Sequence, residues 1–151
     1  GPSGGTRGAP GRAQTCARVL GAAWGWGRRS ALGNAIEPPG CADTATGRAC
    51  PPVRVAWSGP PFAELFTGPF SEDTCATTDA GELWCWGPVS GLEPVRIDVP
   101  PPVSFASLGD LHACAVSAGE LYCWGANVFG QLGRGFADVP RLPPGPVVWP
   151  E

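Results

Sequence analysis

The sequence contains no lysine and no methionine, a single histidine and a single tyrosine, and only 15% charged residues. Its ten basic residues are all arginine, scattered apart from the pair Arg28-Arg29, and thirteen acids bring the formal net charge to −3. Proteins that bind nucleic acid draw most of their affinity from basic stripes that contact phosphate, so no nucleic acid partner is expected. No apolar run approaches the ~20 residues needed to cross a bilayer, and no membrane span is expected. A charged start followed by an apolar core, the mark of a signal peptide, is also missing. With no initiator methionine, the chain reads as a processed product or a fragment of a longer protein. There is no phosphate-cradling G-x-x-x-x-G-K, no D-x-D-x-D calcium loop and no C-x-x-C redox pair. No cofactor and no metal is expected.

What the chain does have is glycine (23), proline (19), seven cysteines and seven tryptophans. Abundant glycine and proline on their own would suggest disorder. A disordered chain is poor in aromatic and apolar residues, whereas 43% of this one is hydrophobic. The composition therefore predicts an all-β fold of short strands joined by tight turns.

The order in the sequence is repetitive. Cys114-Ala-Val-Ser-Ala-Gly-Glu-Leu-Tyr-Cys-Trp-Gly125 matches Cys75-Ala-Thr-Thr-Asp-Ala-Gly-Glu-Leu-Trp-Cys-Trp-Gly87 with one residue added in the turn. A degenerate third copy is Cys16-Ala-Arg-Val-Leu-Gly-Ala-Ala-Trp-Gly-Trp-Gly27, where Gly25 replaces the second cysteine. Leu132-Gly133 matches Leu32-Gly33, and Pro52-Val-Arg-Val55 parallels Pro94-Val-Arg-Ile97. Copies start 59 and 39 residues apart, a period that means propeller blades or solenoid units. The expected organisation is a Gly/Pro-rich segment 1–14, repeats at about 15–68, 69–109 and 110–141, and a Pro-rich segment 142–151 that ends the chain or opens a further blade.

Hairpin geometry assigns the cysteines. With Ala118-Gly119 as a two-residue turn, Ser117 faces Glu120 and, counting outward, Cys114 faces Cys123. With Asp79-Ala80-Gly81 as a three-residue loop, Cys75 faces Cys85, so the extra turn residue preserves the pairing. If Ser117 and Glu120 form a hydrogen-bonded pair, Cys114–Cys123 falls on a non-hydrogen-bonded position, where a Cα separation of about 4.5 Å is at the short end of what a disulfide tolerates. A third bridge, Cys41–Cys50, would close the insertion that lengthens the first repeat. Cys16, opposite Gly25, is left as an unpaired thiol, expected to be buried and inert. Zinc sites join short C-x2-4-C units to one another or to histidines, and these spacings do not. Disulfides in this number point to an oxidising compartment: extracellular, secreted or at the cell surface.

Strand alternation puts Leu121 and Cys123 on one face of the last hairpin and Tyr122 and Trp124 on the other. Both faces are apolar, so the hairpin should lie between two other sheets. Trp24, Trp26, Trp84, Trp86 and Trp124 recur beside the turns, which favours core between blades over a sugar-stacking surface. His112 has Asp110 two residues before it, but its counterparts are Asp73 and Gln14. A position that varies among copies of one unit is expected to be structural, with no catalytic residue.

The stretch His112-Ala-Cys-Ala-Val…Gly119-Glu-Leu-Tyr-Cys-Trp-Gly-Ala-Asn…Phe-Gly-Gln-Leu-Gly133 resembles the regulator of chromosome condensation repeat. The resemblance is strongest over residues 105–135, good over 62–95 and weak over 15–36. The cysteine-bearing form is similar to that of secreted bacterial repeat proteins and plant receptor ectodomains. It implies a β-propeller, usually of about seven blades, acting as a scaffold for protein contacts through loops at one face of the disc. The nuclear member of the family is a nucleotide exchange factor that also binds chromatin; paired cysteines and an acidic chain fit neither role. Three repeats make an incomplete propeller, part of a larger or oligomeric one, because closure is what removes exposed sheet edges.

The expected function is thus a non-enzymatic extracellular protein-binding module. Candidate partner-binding residues are Arg28, Arg29, Asp43 and Arg48, in or near the insertion that interrupts the repeat. One alternative is a structural subunit of a surface filament or large extracellular assembly, with sister chains completing the sheet edges. Another is a carbohydrate-binding or hydrolytic propeller.

Overall fold

The computed structural model describes residues 7–150, and within them the chain forms three antiparallel sheets one after another. The first contains β1 (Arg7–Pro10), β2 (Gln14–Val19), β3 (Ala22–Arg28), β4 (Ala42–Thr44) and β5 (Gly47–Arg54), in the order β1-β2-β3-β5-β4. The second contains β6 (Phe62–Phe66), β7 (Thr74–Thr78), β8 (Leu83–Gly87) and β9 (Gly91–Arg96) in sequence order. The third contains β10 (Val103–Leu108), β11 (His112–Ser117), β12 (Glu120–Asn127) and β13 (Val139–Pro146), again in sequence order. β6 touches both β1 and β10. The leading strands of the three sheets therefore converge, as the inner strands of propeller blades do around an axis. The fold is all-β and blade-like.

The sheets are out of phase with the sequence repeats. Of the segment 1–14, residues 1–6 lie outside the described residues, while Arg7–Pro10 pairs with β2. At the other end, residues 142–146 of the Pro-rich segment belong to β13, paired with β12. Proline is confined to strand positions where no ladder N–H is needed, which an outermost strand supplies. That is how Pro140, Pro143, Pro144 and Pro146 are accommodated in β13, and Pro94 in β9.

The hairpins at the centre of each blade follow from their turns. Ala118 (φ +50°) and Gly119 (φ +84°) both take left-handed conformations, as the favoured two-residue hairpin turn requires. The register is Ser117↔Glu120, Val116↔Leu121, Ala115↔Tyr122 and Cys114↔Cys123. Leu20-Gly21 forms the same turn in the first blade and places Cys16 opposite Gly25. In the second blade Thr78 N–H donates to Glu82 O (3.0 Å), Gly81 N–H donates to Thr78 O (2.9 Å), and Gly81 has φ +77°. This is a three-residue loop, and it sets Cys75 opposite Cys85. Disulfides join Cys41–Cys50, Cys75–Cys85 and Cys114–Cys123, with Cα atoms 4.0–4.1 Å apart.

The Trp-Gly step in every copy has one cause. Gly27, Gly87 and Gly125 have φ of +104°, +134° and +103°, and each is pressed against the strand opposite. A Cβ there would lie 2.6 Å from Ala13 O, 2.7 Å from Asp73 Cα and 2.8 Å from His112 Cα, respectively. Only glycine meets both demands.

Two interfaces hold the blades together. Between the first and second, Phe62, Ala76 and Trp86 pack with Ala23 and Val55, flanked by Trp57, Leu65 and Trp84. Between the second and third, the Cys75–Cys85 bridge and Leu83 pack on Ala113, Ala115 and Trp124. Each blade thus turns its cysteine face toward the following blade and its tryptophan face toward the preceding one. Among the described residues only β7 of the second blade is buried throughout. In the third blade Cys114, Val116 and Leu121 remain partly exposed, and in the first blade Trp24 is 36% exposed. Trp84, Trp86 and Trp124 are interblade core, whereas Trp24 and Trp26 face outward from the first sheet.

Candidate functional site

The first blade differs from its sisters by the segment between β3 and β5. β3 ends at Arg28, a short 3-10 turn follows at Arg29–Ala31, and the chain then loops out to β4 before returning as β5. Buried Leu32 anchors the start of this loop. Asn34 fastens it by donating from Nδ2 to Arg54 O (3.2 Å). Arg29 donates to the carbonyls of Asn34 (2.7 Å) and Ala35 (2.9 Å), gripping the turn from outside. The Cys41–Cys50 bridge closes the far end.

The charged side chains gather on the surface of this insertion. Arg48 forms two parallel bonds to Glu37, at 2.7 Å from Nε and 2.6 Å from Nη2, and a third from Nη1 to Asp43 at 2.8 Å. Arg29 Nε is 4.0 Å from Glu37 Oε2. The hydrogen bonds from Arg48 lower the pKa of Glu37, and those to Glu37 and Asp43 raise that of Arg48. These groups are exposed, so the pairs fix geometry more than they add stability. Arg28 reaches across to Glu72, between β6 and β7 of the second blade, and its pKa is raised by that bond. An open cleft of about 310 Å³ runs between the two clusters, with Arg12, Arg28, Arg48 and Glu72 on its walls.

The four residues selected from sequence therefore occupy one region. Arg29, Asp43 and Arg48 share a single cluster centred on Glu37, and Arg28 and Arg48 line the same cleft. Sequence reasoning missed Glu37, Glu72 and Arg12. Glu37 was the legible one, being the acid of the insertion nearest the arginine pair. Glu72 and Arg12 are brought in only by the packing of neighbouring segments. Fixed guanidinium and carboxylate forks on an exposed, stapled loop can form charge-assisted hydrogen bonds with a protein surface.

A second cleft, about 200 Å³, lies between the second and third blades and is bordered by Asp73, His112, Trp124 and Arg141. Asp73 accepts from the backbone N–H groups of Val89 (3.0 Å) and Ser90 (2.7 Å), so its carboxylate ties down the β8–β9 turn. Gln14 occupies the corresponding position in the first blade and donates to Ser71 O (3.4 Å) and Asp73 O (3.5 Å). These are structural ties at the start of the first two hairpins. Among the described residues no three His, Cys, Asp or Glu side chains gather as metal ligands. No helix among them is long and apolar enough to cross a membrane.

Comparisons with known proteins bear on both fold and repeat. The family model described as the regulator of chromosome condensation (RCC1) repeat matches residues 118–147. No curated protein sequence matches the chain. Among solved structures, Prp20p of Saccharomyces cerevisiae, described with its binding properties to Gsp1p and histones, superposes with a TM-score of 0.74 at 15% identity. The match covers 94% of this chain and 38% of Prp20p. Human WBSCR16 gives 0.71 at 22% identity, covering 95% of this chain and 39% of that one. The chain thus spans under two fifths of the length of either structure. Residues 118–147 match the RCC1 repeat, and the described residues fold as β-propeller blades similar to those of Prp20p and WBSCR16.

Proposed function

We propose that the chain is a non-enzymatic, extracellular protein-binding module whose recognition surface is the stapled insertion of the first blade, with Arg28, Arg29, Asp43 and Arg48 as contact residues. The observation that carries this reading is the insertion itself: apart from buried Ala31, Leu32 and Cys50 it adds nothing to the blade core, yet a disulfide and a bidentate Arg48–Glu37 pair hold it in one shape. Order of that kind lowers the entropy lost on binding. Propeller repeats and three disulfides fit a protein-binding module, and disulfides favour an oxidising compartment. The description of Prp20p names protein partners, which supports protein binding as a use of this fold.

Removing residues 41–50 is too coarse a test, since Ala49 and Cys50 pair with Arg28 and Gly27 of β3. Point substitutions are cleaner. A partner captured from the extracellular medium and titrated against purified protein should bind Arg48→Ala and Arg28→Ala about tenfold or more weakly. Circular dichroism and melting temperature should stay unchanged. Equal affinity of native and substituted chains would remove the arginine face from the proposal.

A second reading, a subunit of a larger extracellular assembly, is favoured by the open outward faces of the first and third blades. It concerns different surfaces from the arginine face.

A further inference from the structure

Gln14, Asp73 and His112 open the hairpins of the three blades. The first two commit their polar atoms to backbone: Gln14 donates to Ser71 O and Asp73 O, and Asp73 accepts from Val89 and Ser90 N–H. His112 does not. Its carbonyl accepts from Gly109 N–H (2.8 Å), and its imidazole lies against Gly109, where a Cβ would stand 2.7 Å from Cε1 and 2.9 Å from Nδ1. Among the described residues neither ring nitrogen has a hydrogen-bond partner. The half-buried ring is thus held in place with its nitrogens unengaged, on the border of the cleft of about 200 Å³ between the second and third blades.

Arg141 is a second unengaged group on that cleft. It pairs with Ala126 across the β12–β13 ladder. Residues two apart on a strand share a face, so Arg141 lies with Ala126 and Trp124 on the face turned toward the second blade. Among the described residues its guanidinium has no carboxylate or carbonyl partner, which leaves its fork of N–H groups available. The acids on the cleft are engaged: Asp73 holds two backbone N–H groups, and Asp110 stands 3.8 Å from Arg12. Much of the remaining lining is apolar, with Ile97 from the second blade and Leu108 and Trp124 from the third. An apolar cleft with a few convergent polar groups is the usual form of a small-ligand site. Both blades that form this one belong to the described chain.

We propose that the cleft binds a small apolar carboxylate, with its hydrocarbon body against Ile97, Leu108 and Trp124 and its charge on Arg141 and a ring N–H of His112. A free guanidinium matches a planar carboxylate, which it can hold through two parallel N–H bonds. A dianion such as phosphate suits the cleft less, because Asp73 and Asp110 border it. The volume of about 200 Å³ is below that of sites for drug-sized ligands, which limits the body to about the size of one amino-acid side chain. The site is separate from the arginine face of the insertion, and neither reading depends on the other.

The test is titration of the native chain with hydrocinnamate and with isocaproate, followed through the indole N–H resonance of Trp124, which Trp124→Phe identifies. At least one acid should saturate as a single site at about 1 mM, as suits ligands this small. Its amide, which lacks the charge, and acetate, which lacks the body, should each bind about tenfold more weakly. Arg141→Ala should weaken the acid about tenfold and leave the amide unchanged, and His112→Ala should weaken the acid about threefold. Arg141 is exposed and unpaired, so its substitution should leave the melting temperature unchanged. No saturable shift with either acid overturns the proposal, as does equal affinity for acid and amide. Unchanged affinity of either variant overturns it too. None of these outcomes touches the arginine face, whose partner is measured separately.

Discussion

The Cys16 thiol is fully buried at the first interblade interface, 3.2 Å from the Thr74 hydroxyl. Burial pushes its pKa from the ordinary 9.0 up to about 11, against a smaller lowering by the Thr74 bond. Between pH 9 and 11 the unfolded chain loses this proton while the native chain keeps it. Stability should therefore fall as pH rises through that window, by about 1.4 kcal/mol per unit, and show no such contribution below pH 9. Denaturant titrations from pH 8 to 10.5 should show this slope in the native chain and a flatter one in Cys16→Ala; equal slopes would refute it. The space opposite the thiol supports a second expectation. A Cβ at Gly25 would lie 3.7 Å from Cys16 Sγ and 3.5 Å from Leu32 Cδ2, both ordinary contacts. Gly25→Cys should then form a bridge to Cys16, seen as the loss of the free thiol, and stabilise by about 2–3 kcal/mol. That Cys16 lacks a cross-strand partner was legible from the sequence, because two-residue turn counting is local. Its bond to Thr74 was not, because that residue lies 58 positions away in the next blade.

Among the elements, the hairpins were the most legible parts of the chain. Strand, turn and strand are contiguous, and one turn length fixes every pair, so Cys75–Cys85 and Cys114–Cys123 follow from counting. The outer strands were not legible. β5 and β9 show in the sequence only as the parallel Pro-Val-Arg segments and β13 only as a Pro-rich stretch, and pairing with the hairpin before each makes it a strand. The insertion was visible as an interruption of the repeat, but its salt bridges required the path of the loop. Glycines separate backbone strain from crowding. Gly119 (φ +84°) has nothing within 4 Å of where a Cβ would stand, whereas Gly125 (φ +103°) is crowded by Leu111 and His112. Gly119→Ala should cost about 1 kcal/mol from the left-handed conformation alone. Gly125→Ala should cost about 3 kcal/mol or more, adding a steric clash across the β11–β12 pair. Thermal or denaturant unfolding of the two variants separates these cases, and equal costs would refute the crowding.

At the scale of the whole molecule, the described blades pack chiefly on their sequence neighbours, while the exposed Arg12–Asp110 pair, at 3.8 Å, links the first blade to the third. Stability in such arrays approximates a sum of unit terms and nearest-neighbour interface terms. Among the described residues the second blade alone has both faces covered, with every residue of β7 buried, while the first and third each turn one apolar face outward. Hydrogen exchange should accordingly be slowest in β7 and β8 and faster in β1, β4 and β13, whose outer edges or faces lie open. Trp86 tests the coupling directly. It is fully buried, 5.7 Å from Phe62 by ring centroids and close against Gly33 of the first blade. Trp86→Ala should cost about 3–5 kcal/mol in interface stability. Because that loss falls on one interface, exchange should accelerate through β2, β3 and β5 while β11 and β12, joined to the second blade through Cys75, Leu83 and Trp124, change little. Uniform acceleration across all three sheets would instead show a single cooperative unit, in which the two interfaces cannot open separately.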